Sequence, residues 1–246
     1  MKTLGIWTLD LSDNNLVVLS KDGFNGLFLP IGYFYNGNQD ETVNQMFKKY
    51  LKARELGFKY FLIDCGWGLG EFDNNYFYKK IIDKFRECED VDFYLGEPIE
   101  SWLETKTLTW EQIYKNEINE RYGLTKRGNL IMDATLRNYH SLADWTGLYK
   151  NITISSYYNQ HKEWRNYFPH VWIYGQLKIG GSLRYKKLSK IADSLNIEKR
   201  FLYQGDLNKW NWKEPFTWLN AILNLIGLQK WFENNQRKRF IKSFGE

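Results

Sequence analysis

One pattern recurs along the chain and limits its fold more than any other feature. A short apolar or β-branched run ends in polar residues or glycine, and a stretch able to form a helix follows. Residues 26–33 precede 41–56, 59–66 precede 74–88, 91–98 precede 110–121, and 129–135 precede 140–149. Further on, 152–158 precede 160–165, 170–176 precede 183–195, and 200–206 precede 215–234. The runs are continuously apolar, which suits parallel strands covered on both faces. The helical reading rests on period. In 41–56, Val43, Phe47, Tyr50, Leu51 and Ala53 recur near the helical repeat of about 3.6 residues, with lysines between them, and Gly57 supplies a stop.

Strands alternating with helices define βαβ units. Seven units are visible, and residues 4–10 supply an eighth strand, so the expected fold is α/β, a (β/α)8 TIM-type barrel. At 246 residues the chain has the length of one such barrel, and no linker or repeat divides it, so 1–246 reads as a single domain. The eighth strand is the open question. The segment 11–25 contains an apolar stretch, 16–20, that would pair with 4–10 as a hairpin. The alternative is then an open, doubly wound sheet.

Composition excludes several classes. An apolar fraction of 43 % excludes a disordered chain. No apolar run reaches the roughly 18 residues of a membrane span, and 4–10 is too short for a signal peptide. Two cysteines, Cys65 and Cys88, cannot build a disulfide framework, which points to a reducing, cytoplasmic setting. A net charge of +5 is too small for a nucleic-acid footprint, and Arg237-Lys238-Arg239 reads as the solvated end of a helix. No nucleic-acid or membrane partner is therefore expected. Oligomeric state stays open.

In such a barrel the chemistry sits where strands end. Those ends carry Asp10, Tyr33, Asp64, Glu97, Asp133, Tyr157, Tyr174, Gln176, Gln204 and Asp206. Any one carboxylate here can cap a helix or pair with a cation. Four of them after apolar runs, Asp64, Glu97, Asp133 and Asp206, point instead to a polar cavity, because an unpaired carboxylate at a core is costly. The same four would suit Mg²⁺ or Ca²⁺, but no histidine spacing suits zinc, and no cofactor is expected. Gly66-Trp67-Gly68-Leu69-Gly70 has the wrong spacing for a dinucleotide loop. Gly180-Gly181-Ser182 reads as a helix cap, or as a phosphate cradle.

Tyr94-Leu95-Gly96-Glu97-Pro98 places a glutamate and a proline at the end of the fourth strand. This resembles the clan A glycoside hydrolases, whose acid/base glutamate ends strand four in Asn-Glu-Pro; here Gly96 replaces the asparagine. Gln176 stands where those enzymes carry a nucleophilic glutamate. Residues 31–67, with Ile63-Asp64-Cys65-Gly66-Trp67, are similar to endo-α-mannosidase-type and α-galactosidase barrels. These resemblances imply a glycoside hydrolase acting on an oligo- or polysaccharide. Glu97 would be its acid/base, Asp206 the leading partner, and Asp133 and Asp64 reserves. Tyr33, Trp67, Trp102, Tyr157, Tyr158, Tyr174, Gln176, Gln204 and Trp210 would contact the carbohydrate, whose apolar ring faces rest on aromatic side chains. The alternatives are a catalytically silent glycan-binding barrel and an enzyme for a phosphorylated substrate.

Overall fold

The computed structural model describes residues 2–8, 10–64, 77–94, 130–134, 152–157, 171–176, 186, 189–190, 192–194, 198–204 and 229–245. Each of the eight apolar runs contains a strand: β1 (Thr3–Thr8), β2 (Gly26–Leu29), β3 (Tyr60–Asp64), β4 (Val91–Tyr94), β5 (Leu130–Ala134), β6 (Ile152–Tyr157), β7 (Val171–Gln176) and β8 (Lys199–Gln204). Each pairs in parallel with the next in chain order, and β8 returns to β1, so the sheet closes into a barrel. The open doubly wound alternative falls. The run at 4–10 is a full barrel strand, held to β8 from Thr3↔Lys199 to Thr8↔Gln204.

Five helices occur among the described residues: α1 (Asp13–Asp22), α2 (Ile31–Phe34), α3 (Gln39–Glu55), α4 (Phe77–Phe85) and α5 (Gln229–Phe244). The segment 11–25 therefore holds a helix and not a hairpin strand. Its ends explain why. The Ser12 side chain accepts the Asn15 N–H at the start, and Gly23 closes the other end at φ 105°, a conformation that costs glycine little. Buried Leu16 and Leu19 face the strands. Helix α3 is capped by Asn38, which accepts from the Glu41 N–H. Its buried face includes Val43, Met46, Tyr50 and Ala53, whereas Leu51 is 42 % exposed and does not belong to the core stripe.

Two boundaries differ from expectation. Strand β2 stops at Leu29, because Pro30 has no N–H to continue the ladder and opens α2. Tyr33 thus stands in a helical turn and not at a strand end. The last helix runs on to Phe244, well past residue 234, so Arg237-Lys238-Arg239 lies inside it. Arg237 is buried while Lys238 and Arg239 are exposed. The helical stretches expected at 110–121, 140–149 and 160–165 lie outside the described residues.

Burial alternates along the strands as a closed barrel demands. Ile6, Leu27, Leu29, Phe61, Ile63, Phe93 and Leu202 face the helices in one large cluster. Phe28, Tyr60, Leu62, Tyr94 and Phe201, with Trp7, form a second cluster that fills the barrel. Phe28 meets Trp7 at a ring-centroid distance of 4.3 Å and Tyr94 edge-on at 5.2 Å. Space for Phe201 comes from its register partner Gly5, where a Cβ would lie 2.4 Å from the phenyl ring.

Charged groups close the amino-terminal side of the barrel. Lys199 Nζ and the Tyr60 hydroxyl both donate to Asp92 Oδ2 at 2.5 Å, and Lys199 lies 4.5 Å from the Tyr60 ring centroid. On the outer face of β8, Arg200 is buried. It donates to Asp193 Oδ1 at 2.6 Å and to the Phe244 carbonyl at 3.3 Å, tying the strand to α5. Arg200, helped by Lys2, holds the Asp193 carboxyl below its ordinary value. Between α3 and β4, the Tyr50 hydroxyl donates to Asp90 Oδ1 at 2.7 Å. Burial, Cys88 and Asp90 push the Tyr50 phenol above its ordinary value.

Gly5→Ala is expected to destabilise the barrel by about 1–3 kcal/mol through overpacking against Phe201, and adding Phe201→Leu is expected to return part of that loss; denaturant melts of the single and double variants test both. The pH dependence has two limbs. The Asp193 contribution is present above the ordinary carboxylate pKa of about 4 and is lost as pH falls through its lowered value. The Tyr50 contribution is present below the ordinary phenol pKa of about 10 and is lost as pH rises above it. Asp193→Asn is expected to flatten the acid limb of a stability-against-pH curve, and Tyr50→Phe the alkaline limb.

Candidate active site at the carboxyl-terminal mouth

Because all eight strands are parallel, their carboxyl ends open on one face. That rim contains Thr8, Leu29, Asp64, Tyr94, Ala134, Tyr157, Gln176 and Gln204 as the last strand residues. Asp133 is one residue short of the end of β5 and pairs with Ser155 of β6. Asp64 and Asp133 therefore share the face expected of them. Tyr157 and Tyr174 are register partners across β6 and β7. Gln176 pairs with Tyr203, and Gln204 with Thr8. Glu97 and Asp206 follow the last residues of β4 and β8 in sequence, but they lie outside the described residues, as do Trp67, Trp102, Tyr158 and Trp210.

Asp64 is the candidate carboxylate whose surroundings are clearest. It continues the inward side of β3 after Tyr60 and Leu62, and it is 4 % exposed. Its Oδ2 accepts the backbone N–H of Ile31 at 3.1 Å. Pro30, at the N-cap of α2, makes no side-chain cap bond, so a carboxylate from the neighbouring strand takes that part. Asp64, expected as a reserve partner for Glu97, thus has one carboxylate oxygen engaged in a clamp between β3 and α2.

Tyr33, carried by α2, is 46 % exposed, and its ring meets Phe34 edge-on at 4.9 Å. Phe34 and Ile31 are buried beneath it. Asp10 is also less than expected. Strand β1 ends at Thr8, and exposed Asp10 accepts the Ser12 N–H at 3.0 Å ahead of α1. Two inward positions near the mouth were not singled out from the sequence. Tyr94 is the register partner of Asp64 and is buried, and Trp7 packs against it. Strict alternation along β1 and β4 is the signal that marks them.

Among the described residues no three histidine, cysteine, aspartate or glutamate side chains gather as a metal-binding group. The carboxylate set expected for Mg²⁺ or Ca²⁺ includes Glu97 and Asp206, outside those residues. No helix among the described residues is long and apolar enough to cross a membrane.

The fold and its polar rim define a TIM-type (β/α)8 barrel. No protein-family model matches the chain, and no curated protein matches it in sequence. Solved structures do. The chain is similar to D-psicose 3-epimerase from Clostridium cellulolyticum H10, crystallised with D-tagatose, at 11 % identity and TM-score 0.60 over 99 % of each chain. A D-psicose 3-epimerase in the presence of D-fructose aligns at 10 % identity and TM-score 0.52, over 93 % of this chain and 100 % of that one. A putative phosphonomutase from Burkholderia cenocepacia J2315 aligns at 12 % identity and TM-score 0.54, over 94 % of each chain. At such identities the likeness establishes the fold.

These neighbours correct the expected activity. The barrel implied by the glycoside hydrolase resemblance is present, but the structures named above are two epimerases and a putative phosphonomutase, and none of the three is a glycosidase. The physical reason is that the resemblance rested on short strand-end motifs. A carboxylate after a strand and a proline after a carboxylate serve any barrel chemistry, and a capping duty such as that of Asp64 produces the same pattern.

The clamp generates a prediction. Asp64→Ala is expected to cost about 1–3 kcal/mol by leaving the buried Ile31 N–H without this acceptor. Asp64→Asn keeps an acceptor oxygen and is expected to cost clearly less. Amide hydrogen exchange at Ile31 reads the difference directly, with protection retained in Asn and lost in Ala.

Proposed function

We propose that the chain is an enzyme that isomerises a small polyhydroxylated carbonyl compound at the carboxyl-terminal mouth of its barrel, moving a proton at carbon by carboxylate acid–base chemistry. The observation that carries this reading is the end-to-end correspondence with a D-psicose 3-epimerase, over 99 % of both chains. Strand-end carboxylates support it, since Asp133 lies one residue short of the end of β5 and Glu97 and Asp206 follow β4 and β8 in sequence.

Epimerisation beside a carbonyl needs a base on one face of the carbon and an acid on the other. The base takes the proton and leaves an enediolate. The acid returns a proton to the opposite face, so substrate and product differ only in configuration. Two carboxylates close to each other divide these roles, because their repulsion raises the pKa of one and keeps it protonated. Glu97 is assigned to this pair, with Asp206 or Asp133 as its second member. A substrate of this kind has no charge for the protein to grip, so hydrogen bonds from residues such as Gln176 and Gln204 and contacts with rim aromatics would orient it.

Incubation with D-psicose, D-fructose or D-tagatose in D₂O, with Mg²⁺ and with a chelator, tests the reading. Carbon-bound deuterium and the epimeric sugar are expected in the NMR spectrum of at least one. Glu97→Gln is expected to slow that exchange by roughly 10²–10⁴-fold. Absence of both deuterium and epimer with all three sugars overturns the proposal.

A further inference from the structure

The corner between β2 and α2 is the described part of the mouth where an exposed aromatic ring and a buried carboxylate belong to one hydrogen-bonded unit. We infer that this corner is a substrate-positioning element, in which Tyr33 supplies the surface that meets a polyhydroxylated substrate and Asp64 positions it; this rests on the function proposed above and assigns that site its recognition element.

The sequence builds the corner in a few residues. Pro30 ends β2 and turns the chain onto the mouth. Ile31 and Phe34 are buried at either end of the four-residue helix. Tyr33, between them, is exposed, and Phe34 supports its ring edge-on at 4.9 Å. The other large apolar side chains exposed among the described residues, Val18, Leu51 and Trp231, belong to helices α1, α3 and α5 on the outside of the barrel. Tyr33 is the one of the set that directly follows a strand's carboxyl end.

A four-residue helix does not hold itself together. Two contacts from outside and one closing bond of its own do so here. Asp64 Oδ2 takes the Ile31 N–H at the start. The Tyr35 N–H bonds to the Ile31 carbonyl at 3.0 Å. The Thr42 hydroxyl, from α3, lies 3.4 Å from the Phe34 carbonyl and 2.7 Å from that of Asn38. The carboxylate and hydroxyl are both buried, so the backbone under Tyr33 is fixed from two neighbouring elements. A preorganised ring loses less freedom on binding, and its face suits the C–H side of a sugar while its hydroxyl stays in water. Asp64 acts through this backbone and is a positioning residue, not a catalytic one.

Variants Tyr33→Ala, Tyr33→Phe, Asp64→Asn and Asp64→Ala test the inference with D-psicose, D-fructose and D-tagatose as probes. Two readouts are needed: turnover, and saturation-transfer NMR of sugar binding. Tyr33→Ala is expected to raise KM, or weaken binding, about three- to tenfold with kcat within twofold, and Tyr33→Phe to stay near wild type. Asp64→Ala is expected to reproduce the Tyr33→Ala change, and Asp64→Asn to restore wild-type KM. Turnover with Tyr33→Ala unaltered in KM and binding overturns the inference and leaves the proposed function standing. Loss of kcat by 100-fold or more in Asp64→Asn overturns the positioning role in favour of a catalytic one. Sugar binding that weakens in Tyr33→Ala without turnover in wild type supports the inference and overturns the function. Neither binding nor turnover in wild type overturns both.

Discussion

The packing of Phe201 over Gly5 is the contact on which the barrel's closure depends. Strand β8 has to lie against β1 along its whole length, six residues on each side, or the sheet stays open and presents two edges. A phenyl ring inside a barrel of this size needs room, and Gly5 supplies it by having no side chain where the ring lies. Gly26 on the next strand lets β1 approach closely, since a Cβ there would lie 2.9 Å from Thr3 Cγ2 and 3.0 Å from the Gly5 Cα. The two glycines are register partners, so the large interior ring and the missing side chains occupy one level of the barrel. Closure in turn sends every carboxyl end to one mouth, without which the strand-end residues would have no common site.

Polar groups at the other end show the same economy. Lys199 and Asp92 sit at inward positions of β8 and β4, where an unpaired charge would be costly. Each satisfies the other, and Tyr60 adds a phenol donor and a ring face for the cation. The barrel is thus plugged by groups whose hydrogen bonds are committed among themselves. Arg200 does a similar task on the outward side, where its guanidinium joins the strand to a carboxylate and to the last helix. Neither group lies at the mouth, and a buried charge in this fold is not by itself a sign of chemistry.

The strands are legible because each is carried by a largely apolar run, and among the described helices α1 and α3 are marked by the caps Ser12 and Asn38. Segment 11–25 shows where reading by hydrophobicity fails. Leu16 and Leu19 look as apolar in a strand as in a helix, and the deciding information is the Ser12 cap and the Gly23 conformation. Tyr33 was misplaced for a related reason, since the apolar run continues past Pro30 although the ladder cannot. Arg237 shows the third kind of failure: a triplet of basic residues looks solvated, yet a helix turns one of the three inward. The rim position of Asp64 and Asp133 followed from counting strands, which requires only topology.

What a strand-end carboxylate does there is a harder question, because topology delivers a residue to the mouth without stating its partner. Asp64 makes the difficulty concrete. Its place at the end of an apolar strand put it, with Asp133, among the reserve carboxylates behind Glu97 and Asp206. One partner it holds, the Ile31 N–H, comes from a segment 33 residues earlier and is left free of a helical bond because Pro30 starts a helix there. No local pattern around Asp64 contains that information. A carboxylate that accepts a backbone N–H at a helix start ties its own strand to that helix, which suits a clamp. The groups that exchange protons with a substrate must keep an oxygen uncommitted. What distinguishes one strand-end carboxylate from another is therefore what it already holds, and one oxygen of Asp64 holds the start of α2.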